Sequence, residues 1–303
     1  MGGAAKGAKF AFISADGGTW AVSGMCSALG FARRGCCAWR RRPPSPHDER
    51  DLEPARLISE ICESSRRIYG APKARVELLT RGVRASRKRV ARIMRDNGWP
   101  GTARGCAMRP EGAVKSAMPQ ASAAPDLVGR DFSADGPDRA RFAGITYVRT
   151  HRGRLCPAPV MDIWPRRIVG RSMSDRMGAE PADGAVRMAV ARRRPPAGCT
   201  RHSDHGSQCV SLRLGRAMRE NGIGPSTGSA SSPWDNAAME SLMGLVKAER
   251  VSAGTFDSRD LAALEVFECI ECSCNRVRTR SALGYLSPEE FEARNREGAA
   301  VAA

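Results

Sequence analysis

His202-Ser203-Asp204-His205-Gly206-Ser207-Gln208 and Asp235-Asn236-Ala237-Ala238-Met239-Glu240-Ser241 are the two most informative words of this 303-residue chain. Each carries an acid, Asp204 and Glu240, and 35 residues separate the two. Paired carboxylates hold divalent cations for in-line phosphoryl chemistry, so the pair points to metal-assisted work on phosphate esters. The surrounding sequence supplies a frame for them. Residues 142–149, 155–163 and 167–173 are short runs with β-branched side chains, separated by turn signals such as His151-Arg152-Gly153. They are predicted to be three consecutive antiparallel strands. A helix follows over 181–193, with Ala185, Met188 and Ala189 on its apolar side. A short strand precedes Asp204, and helices cover 207–220, 235–251 and 258–275. Ser287-Pro288 opens a last helix, with proline in its first turn. Strands followed by alternating helix and strand make an α/β layer fold. In that frame Asp204 leaves a strand at a sheet edge. Glu240 faces back from a helix, and Lys247, about two turns further on, shares its face.

The N-terminal part reads differently. Leu57, Ile58, Ile61 and Cys62 recur at helical spacing, residues 73–80 form a short helix, and Pro43-Pro44 breaks any helix before them. Ser86 is a helix N-cap and Gly98 a stop for a helix over 87–96. Val90, Ile93 and Met94 line one side of that helix, and Arg87, Lys88, Arg89, Arg92 and Arg95 fill the rest. An apolar stripe with a basic face outward suits the recognition helix of a helix-turn-helix, with these five side chains as DNA contacts. Residues 101–135, rich in Ala, Gly, Pro and Ser, read as a linker.

Composition agrees with a nucleic-acid partner. The 49 Lys and Arg outnumber 32 Asp and Glu, a net charge of +17, and the excess is larger before residue 136 than after it. No run approaches the ~18 apolar residues of a membrane helix, and the first residues lack a clean apolar signal region. A cytosolic protein without membrane contact is the expectation. The 11 cysteines are odd in number and irregular in spacing. Cys269-x-x-Cys272-x-Cys274 and His202-x-x-His205 lack paired zinc-knuckle spacing, so reduced thiols are expected.

On these words the chain resembles insertion-sequence transposases of the IS-three family, in particular their second reading frame. Further support comes from Tyr69-Gly70-Ala71-Pro72, Ile145-Thr146-Tyr147, Arg167-Ile168-Val169-Gly170 and Ser281-Ala282-Leu283-Gly284-Tyr285. The resemblance implies an RNase-H-like integrase core, a mixed five-stranded sheet with flanking helices, preceded by an all-α helix-turn-helix region. The expected organisation is an N-terminal helical segment over 1–44, the DNA-binding region over 45–100, the linker, the catalytic core over 136–296 and a disordered tail over 297–303. It implies a D-D-E site with two Mg²⁺ or Mn²⁺ ions and metal-dependent cleavage and strand transfer at element ends. Asp204 and Glu240 would be catalytic and metal-holding, and Lys247 would meet DNA. Expected partners are double-stranded DNA at element ends and targets, a homo-oligomer on DNA, and a protein from a first reading frame. The implied setting is the bacterial cytoplasm, at the nucleoid.

The first acid of that trio falls in the word Gly144-Ile145-Thr146-Tyr147, where glycine supplies no ligand. Asp162 is the nearest acid on an adjacent strand, able to substitute only if direction and register allow. Other departures from the family pattern are Arg141 for Trp, Cys36, Cys37, Cys209 and Cys274 for Tyr, Arg75, Arg201 and Arg280 for His, and Pro157 for an apolar strand residue. Each is reachable by one A-to-G or T-to-C transition, the signature of a decaying copy. The expectation is a catalytically impaired transposase. The alternative is a non-catalytic DNA-binding protein, or a relic, that occupies element ends.

Overall fold

In the computed structural model, residues 3–41, 46–99, 101, 124–204, 212–228, 233–251 and 255–301 are described. The chain divides into two compact units, Met1–Glu60 and Ile61–Ala303. The division falls inside α4 (Pro46–Ser64). In the first unit α1 (Gly3–Ala15), α2 (Val22–Ala28) and α3 (Arg33–Arg40) enclose Phe10, Ile13, Cys26 and Cys36.

The second unit begins with helical sequence. α5 (Ala71–Thr80) and α6 (Arg87–Asp96) are joined by a turn through Gly82, whose φ of 82° lies in the left-handed region. Ser86 caps α6 as its sequence predicts, its Oγ accepting the Arg89 N–H at 3.2 Å, a contribution of about 1 kcal/mol. Trp99 N–H donates to Met94 O at 2.8 Å beyond Gly98, closing the C-terminus. Val90, Ile93 and Met94 are buried.

The core sheet has six strands: β1 (Ala140–Ala143), β2 (Val148–Thr150), β3 (Gly153–Asp162), β4 (Arg167–Ser174), β5 (Thr200–Ser203) and β6 (Gly224–Thr227). The order is β2-β3-β1-β5-β6, with β4 also paired to β3. β1 runs antiparallel to β3 and parallel to β5, and β5 is parallel to β6. The expected count of five is therefore corrected to six. The run over 142–149 breaks into β1 and β2 at Gly144–Tyr147, and β6 carries only a short, turn-like sequence, Gly-Pro-Ser-Thr.

That break accommodates two prolines. Pro157 O accepts the Thr146 N–H at 3.1 Å, so this edge of residue 157 faces the interrupted stretch between β1 and β2. In an antiparallel strand a residue's N–H and C=O point the same way, so the missing donors of Pro157 and Pro159 face a gap rather than a ladder. A proline inside a strand ordinarily removes a ladder hydrogen bond; at Pro157 that cost is avoided.

Helices cover both faces. α7 (Ala179–Arg192) and α8 (Leu212–Glu220) pack on one, burying Ala182, Ala185, Val186, Ala189, Leu214 and Met218. Gly170 of β4 permits the closest approach: a Cβ there would stand 2.2 Å from Ala185 O. α9 (Ala237–Val246) and α10 (Arg259–Glu268) cover the other face with Met239, Leu242, Val246, Ala262 and Val266. Each of these two helices continues into a π-helical segment, Lys247–Val251 and Cys269–Val277. α11 (Pro288–Val301) carries helix through most of the segment expected as a disordered tail. The end of the expected linker also belongs to the core: Leu127 N–H donates to Ser226 Oγ at 2.9 Å, and Val128 and Phe132 pack on the α9 side. Residues 102–123, like 207–211 of the predicted helix over 207–220, lie outside the described residues.

A candidate strand-transfer site with one position empty of ligand

β1 and β5 place the first two positions of the site. Their parallel register pairs Ala143 with Ser203, so Gly144 and Asp204 leave adjacent strands side by side. Glu240 lies in the first turn of α9 and is exposed. Its charge is among the causes that raise the pKa of Asp204: desolvation is the largest, the carboxylates of Glu240 and Asp235 add to it, and an Asn236 hydrogen bond opposes it. Solvent reaches Asp204, yet packing and like charge crowd its carboxylate. Asp204 and Glu240 thus share one locality, as their sequence words imply.

The helix carrying Glu240 is tied to the sheet by side chains that do no chemistry. Asn236, fully buried, donates through Nδ2 to Ala143 O at 3.0 Å. It occupies the cap position of α9 but makes no side-chain cap bond, and acts instead as a bridge from helix to sheet. His202 is also fully buried, with Nε2 2.9 Å from Asp235 O and Nδ1 2.9 Å from Ser226 Oγ. A carbonyl only accepts, so Nε2 carries the hydrogen and Nδ1 accepts from Ser226, whose Oγ in turn accepts from Leu127. His202 therefore fastens β5 to β6 and to the entry of α9. Asp235 is buried and receives Arg130 Nε at 2.8 Å. The role of Met239 is not visible in the sequence, whereas the words opening at His202 and Asp235 mark His202 and Asn236 as neighbours of the acids, with backbone positioning a natural role for the histidine. His205 lies outside the described residues.

Position 144 is not merely vacant. A Cβ added to Gly144 would stand 2.7 Å from Met239 Cγ, and Met239 is 1% exposed. The methionine of α9 therefore occupies the space that a side chain at 144 would enter. Asp162 does not take over. Its strand is antiparallel, and the register sets it opposite Arg141, three residues back along β1 from Gly144, or about 10 Å at ~3.3 Å per residue. There it accepts the Asp138 N–H at 2.8 Å and the Trp164 N–H at 3.3 Å, and it lies 3.5 Å from Arg193. Burial, its largest cause, raises its pKa to about 7.

These residues do not fit the two-metal site that the resemblance implies. Asp204 and Glu240 offer two carboxylates, position 144 offers none, and among the described residues no group of three His, Cys, Asp or Glu side chains is placed to hold a metal ion.

Lys247 follows Glu240 into the π segment, where its Nζ lies 4.9 Å from the centre of the Tyr147 ring, at the interruption between β1 and β2. Glu249, two residues on, makes a buried ion pair with Arg278. In α6, Arg87, Lys88 and Arg95 are exposed, while Arg89 and Arg92 are half-buried and Arg92 pairs with Asp96 at 3.3 Å. The sequence-predicted basic face is thus split into three open cations and two that lie against the helix surface.

Comparison with known proteins agrees with both parts. The family described as HTH-like domain matches residues 47–105, and the integrase core domain family matches residues 135–233. Among solved structures, the magnesium complex of the HTLV-2 integrase catalytic core superposes with a TM-score of 0.40 at 13% identity, covering 51% of this chain and 96% of that one. A simian T-cell lymphotropic virus intasome gives 0.41 at 15% identity, covering 75% and 70%. An uncharacterised 31 kDa protein of insertion element IS600 from Shigella sonnei is 32% identical, over 91% of this chain and all of that protein. Transposase InsF of insertion sequence IS3A from Escherichia coli K12 is 33% identical over 95% of this chain and 99% of its own length. Both domain families occur in order and the likeness spans almost the whole chain, so this protein belongs to the IS3 family of insertion-sequence transposases.

Proposed function

We propose that this chain binds duplex DNA at the ends of its insertion sequence but is impaired in metal-dependent cleavage and strand transfer. The reading rests on one observation: the position beside Asp204 is Gly144, and Met239 fills the space in front of it. A complete site would need a third carboxylate beside Asp204 and Glu240 to hold divalent cations, which would supply charge stabilisation for in-line phosphoryl chemistry. What remains here is a scaffold that fixes Asp204 and Glu240, with Asn236 and His202 holding α9 to the sheet. The DNA contacts are Arg87, Lys88 and Arg95, supported by Arg89 and Arg92, with Lys247 meeting a phosphate near the site. The protein assembles as a homo-oligomer on DNA, and with intact relatives or the product of a first reading frame it forms mixed assemblies that occupy ends without processing them.

The test uses duplexes taken from the two borders of the element. The unaltered chain is expected to bind them and to leave them uncut in Mg²⁺ or Mn²⁺. Binding should fall steeply in the Arg87→Ala/Lys88→Ala/Arg95→Ala variant, with a smaller salt dependence. Metal-dependent nicking by the unaltered chain that is lost in Glu240→Ala overturns the impairment; binding untouched by the triple variant overturns the assignment of α6.

A further inference from the structure

Cys269 and Cys274 open and close the first turn of the π-helical segment that follows α10. Both are fully buried, and their sulfurs stand 3.8 Å apart. The i→i+5 winding of a π-helix brings residues five apart nearly over one another, which an α-helix does not. Beside the pair lies Arg280, whose Nε and Nη2 are buried with no hydrogen-bond partner among the described residues. A buried guanidinium with two unused donors is costly unless an anion lies nearby. Glu249 is committed to Arg278 in a buried ion pair. Glu249 also acts on Arg280, and the Cys274 thiol is a second acidic group beside that guanidinium. A hydrogen bond from Cys269 and the charges of Arg280 and Arg278 hold that thiol below its ordinary range against the opposing effect of burial.

The chain contains its own control. Cys26 and Cys36 form another buried, hydrogen-bonded thiol pair in the first unit. There burial and the neighbouring sulfur push Cys36 up. Arg40 acts on Cys36 in the lowering sense, but burial and Cys26 outweigh it, whereas two arginines, Arg280 and Arg278, act on Cys274.

We propose that Cys274 is a peroxide-sensitive modification site that closes a reversible disulfide onto Cys269. The thiolate is the reacting form of cysteine. Cys274 sulfur attacks one oxygen of hydrogen peroxide; the S–O bond forms, the O–O bond breaks, and hydroxide leaves as water after taking a proton. The Cys269 sulfur then attacks the sulfenic acid at Cys274. The S–S bond forms, the S–O bond breaks, and the second oxygen leaves as water with the Cys269 proton. Two thiols lose two electrons and one peroxide is reduced to two waters. Local opening of the segment admits the oxidant.

The experiment treats the folded full-length Cys272→Ser variant with hydrogen peroxide, blocks remaining thiols and analyses tryptic peptides. Removing Cys272 excludes the exposed thiol between the pair. The peptide spanning 260–276 is expected to become two hydrogens lighter, to recover with dithiothreitol, and to react faster than the Cys26–Cys36 pair. Arg280→Lys is expected to keep the rate and Arg280→Leu to lower it about tenfold. Should Arg280→Leu fail to fold, Cys269→Ser serves instead: Cys274 then stops at a sulfenic acid that dimedone captures. A peptide that keeps its full mass while Cys26 and Cys36 oxidise overturns the proposal, as does an absence of dimedone capture in Cys269→Ser.

Discussion

Restoring an acid at residue 144 separates a missing ligand from a blocked one. In Gly144→Asp the new Cβ meets Met239 Cγ at 2.7 Å in a buried site, so Met239 must leave its rotamer or α9 must move. Overpacking of this kind costs about 1–3 kcal/mol. At about 2–4 °C per kcal/mol for a domain of this size, the melting temperature should fall by roughly 2–12 °C without metal. Met239→Ala removes the obstructing atoms, at its own cost of about 2–5 kcal/mol from lost packing. The aspartate then partly fills the space that alanine leaves. The double variant should therefore be more stable than the sum of the single changes predicts, by at least ~1 kcal/mol of coupling. The assay is thermal unfolding of all four proteins with and without Mn²⁺. Saturation at about 100 times Kd adds roughly 2.7 kcal/mol to a protein whose native state binds the ion. That gain is expected in Gly144→Asp/Met239→Ala, reduced in Gly144→Asp, absent in the unaltered chain, and abolished by adding Glu240→Ala. Strict additivity of the two substitutions would refute the steric account. Mn²⁺ stabilisation of the unaltered chain, lost on Glu240→Ala, would refute the ligand account and mean that another group completes the site.

Other positions answer to simpler measurements. Gly170→Ala drives a methyl group to 2.2 Å from Ala185 O between β4 and α7, and denaturant unfolding should show a loss of 3 kcal/mol or more, about the top of the overpacking range. Arg278→Met takes one ion-pair partner from the buried Glu249 carboxylate; a loss of up to about 3–5 kcal/mol is expected, and Glu249→Gln/Arg278→Met together should recover part of it. His202→Phe keeps the ring volume but cuts both tethers, so the fold should survive while exchange of the amides at the start of α9 accelerates; unchanged protection would remove the tethering role. Asp162 has a folded pKa of about 7, above its unfolded value of 3.8, because of burial. The native state then holds the extra proton, so this contribution to stability is full below about pH 4 and lost as pH rises through about 7. Moving from pH 8 to pH 6 should add about 1.4 kcal/mol that Asp162→Asn does not show; equal slopes in the two proteins would mean that Asp162 is ionised throughout.

Local signals were enough to locate the elements that carry the site. Ser86, Gly98 and the Val90, Ile93, Met94 stripe set α6 because capping and periodicity act within one turn. The strand before Asp204 and the helix of Glu240 likewise follow from short-range pattern. What escaped the sequence depends on pairs far apart in the chain. The division of residues 142–149 into two strands follows from β3, whose prolines lack donors on the side facing Gly144–Tyr147. Strand β6 is recognisable only because β5 pairs with it and His202 reaches Ser226 across the register. The absence of a ligand at 144 is a matter of one letter, but its occupation by Met239 joins residues 95 positions apart, and no local pattern reports it.

The same contrast bears on what this chain has kept. Some departures that affect packing have found partners, although Arg201 Nε and two donors of Arg280 are buried without a hydrogen bond among the described residues. Arg141, buried at 2% exposure, donates to Asp138 Oδ1 at 2.7 Å and to Arg193 O at 2.7 Å. Arg75 donates to Ala85 O at 3.0 Å across the turn between α5 and α6. Pro157 lies beside an interruption in the sheet. Hydrophobic burial and hydrogen bonding are tolerant currencies, because any group of suitable size or polarity can supply them. A metal-holding carboxylate would not be replaceable in that way, since a functional group must be held within about 0.5 Å of its productive place. Asp162, the nearest acid on the neighbouring strand, is held three residues away in register by two backbone donors and Arg193. On the proposed reading a fold outlasts its chemistry: the scaffold absorbs substitutions by local adjustment, while glycine at 144 leaves Asp204 and Glu240 in one locality without a third carboxylate beside them.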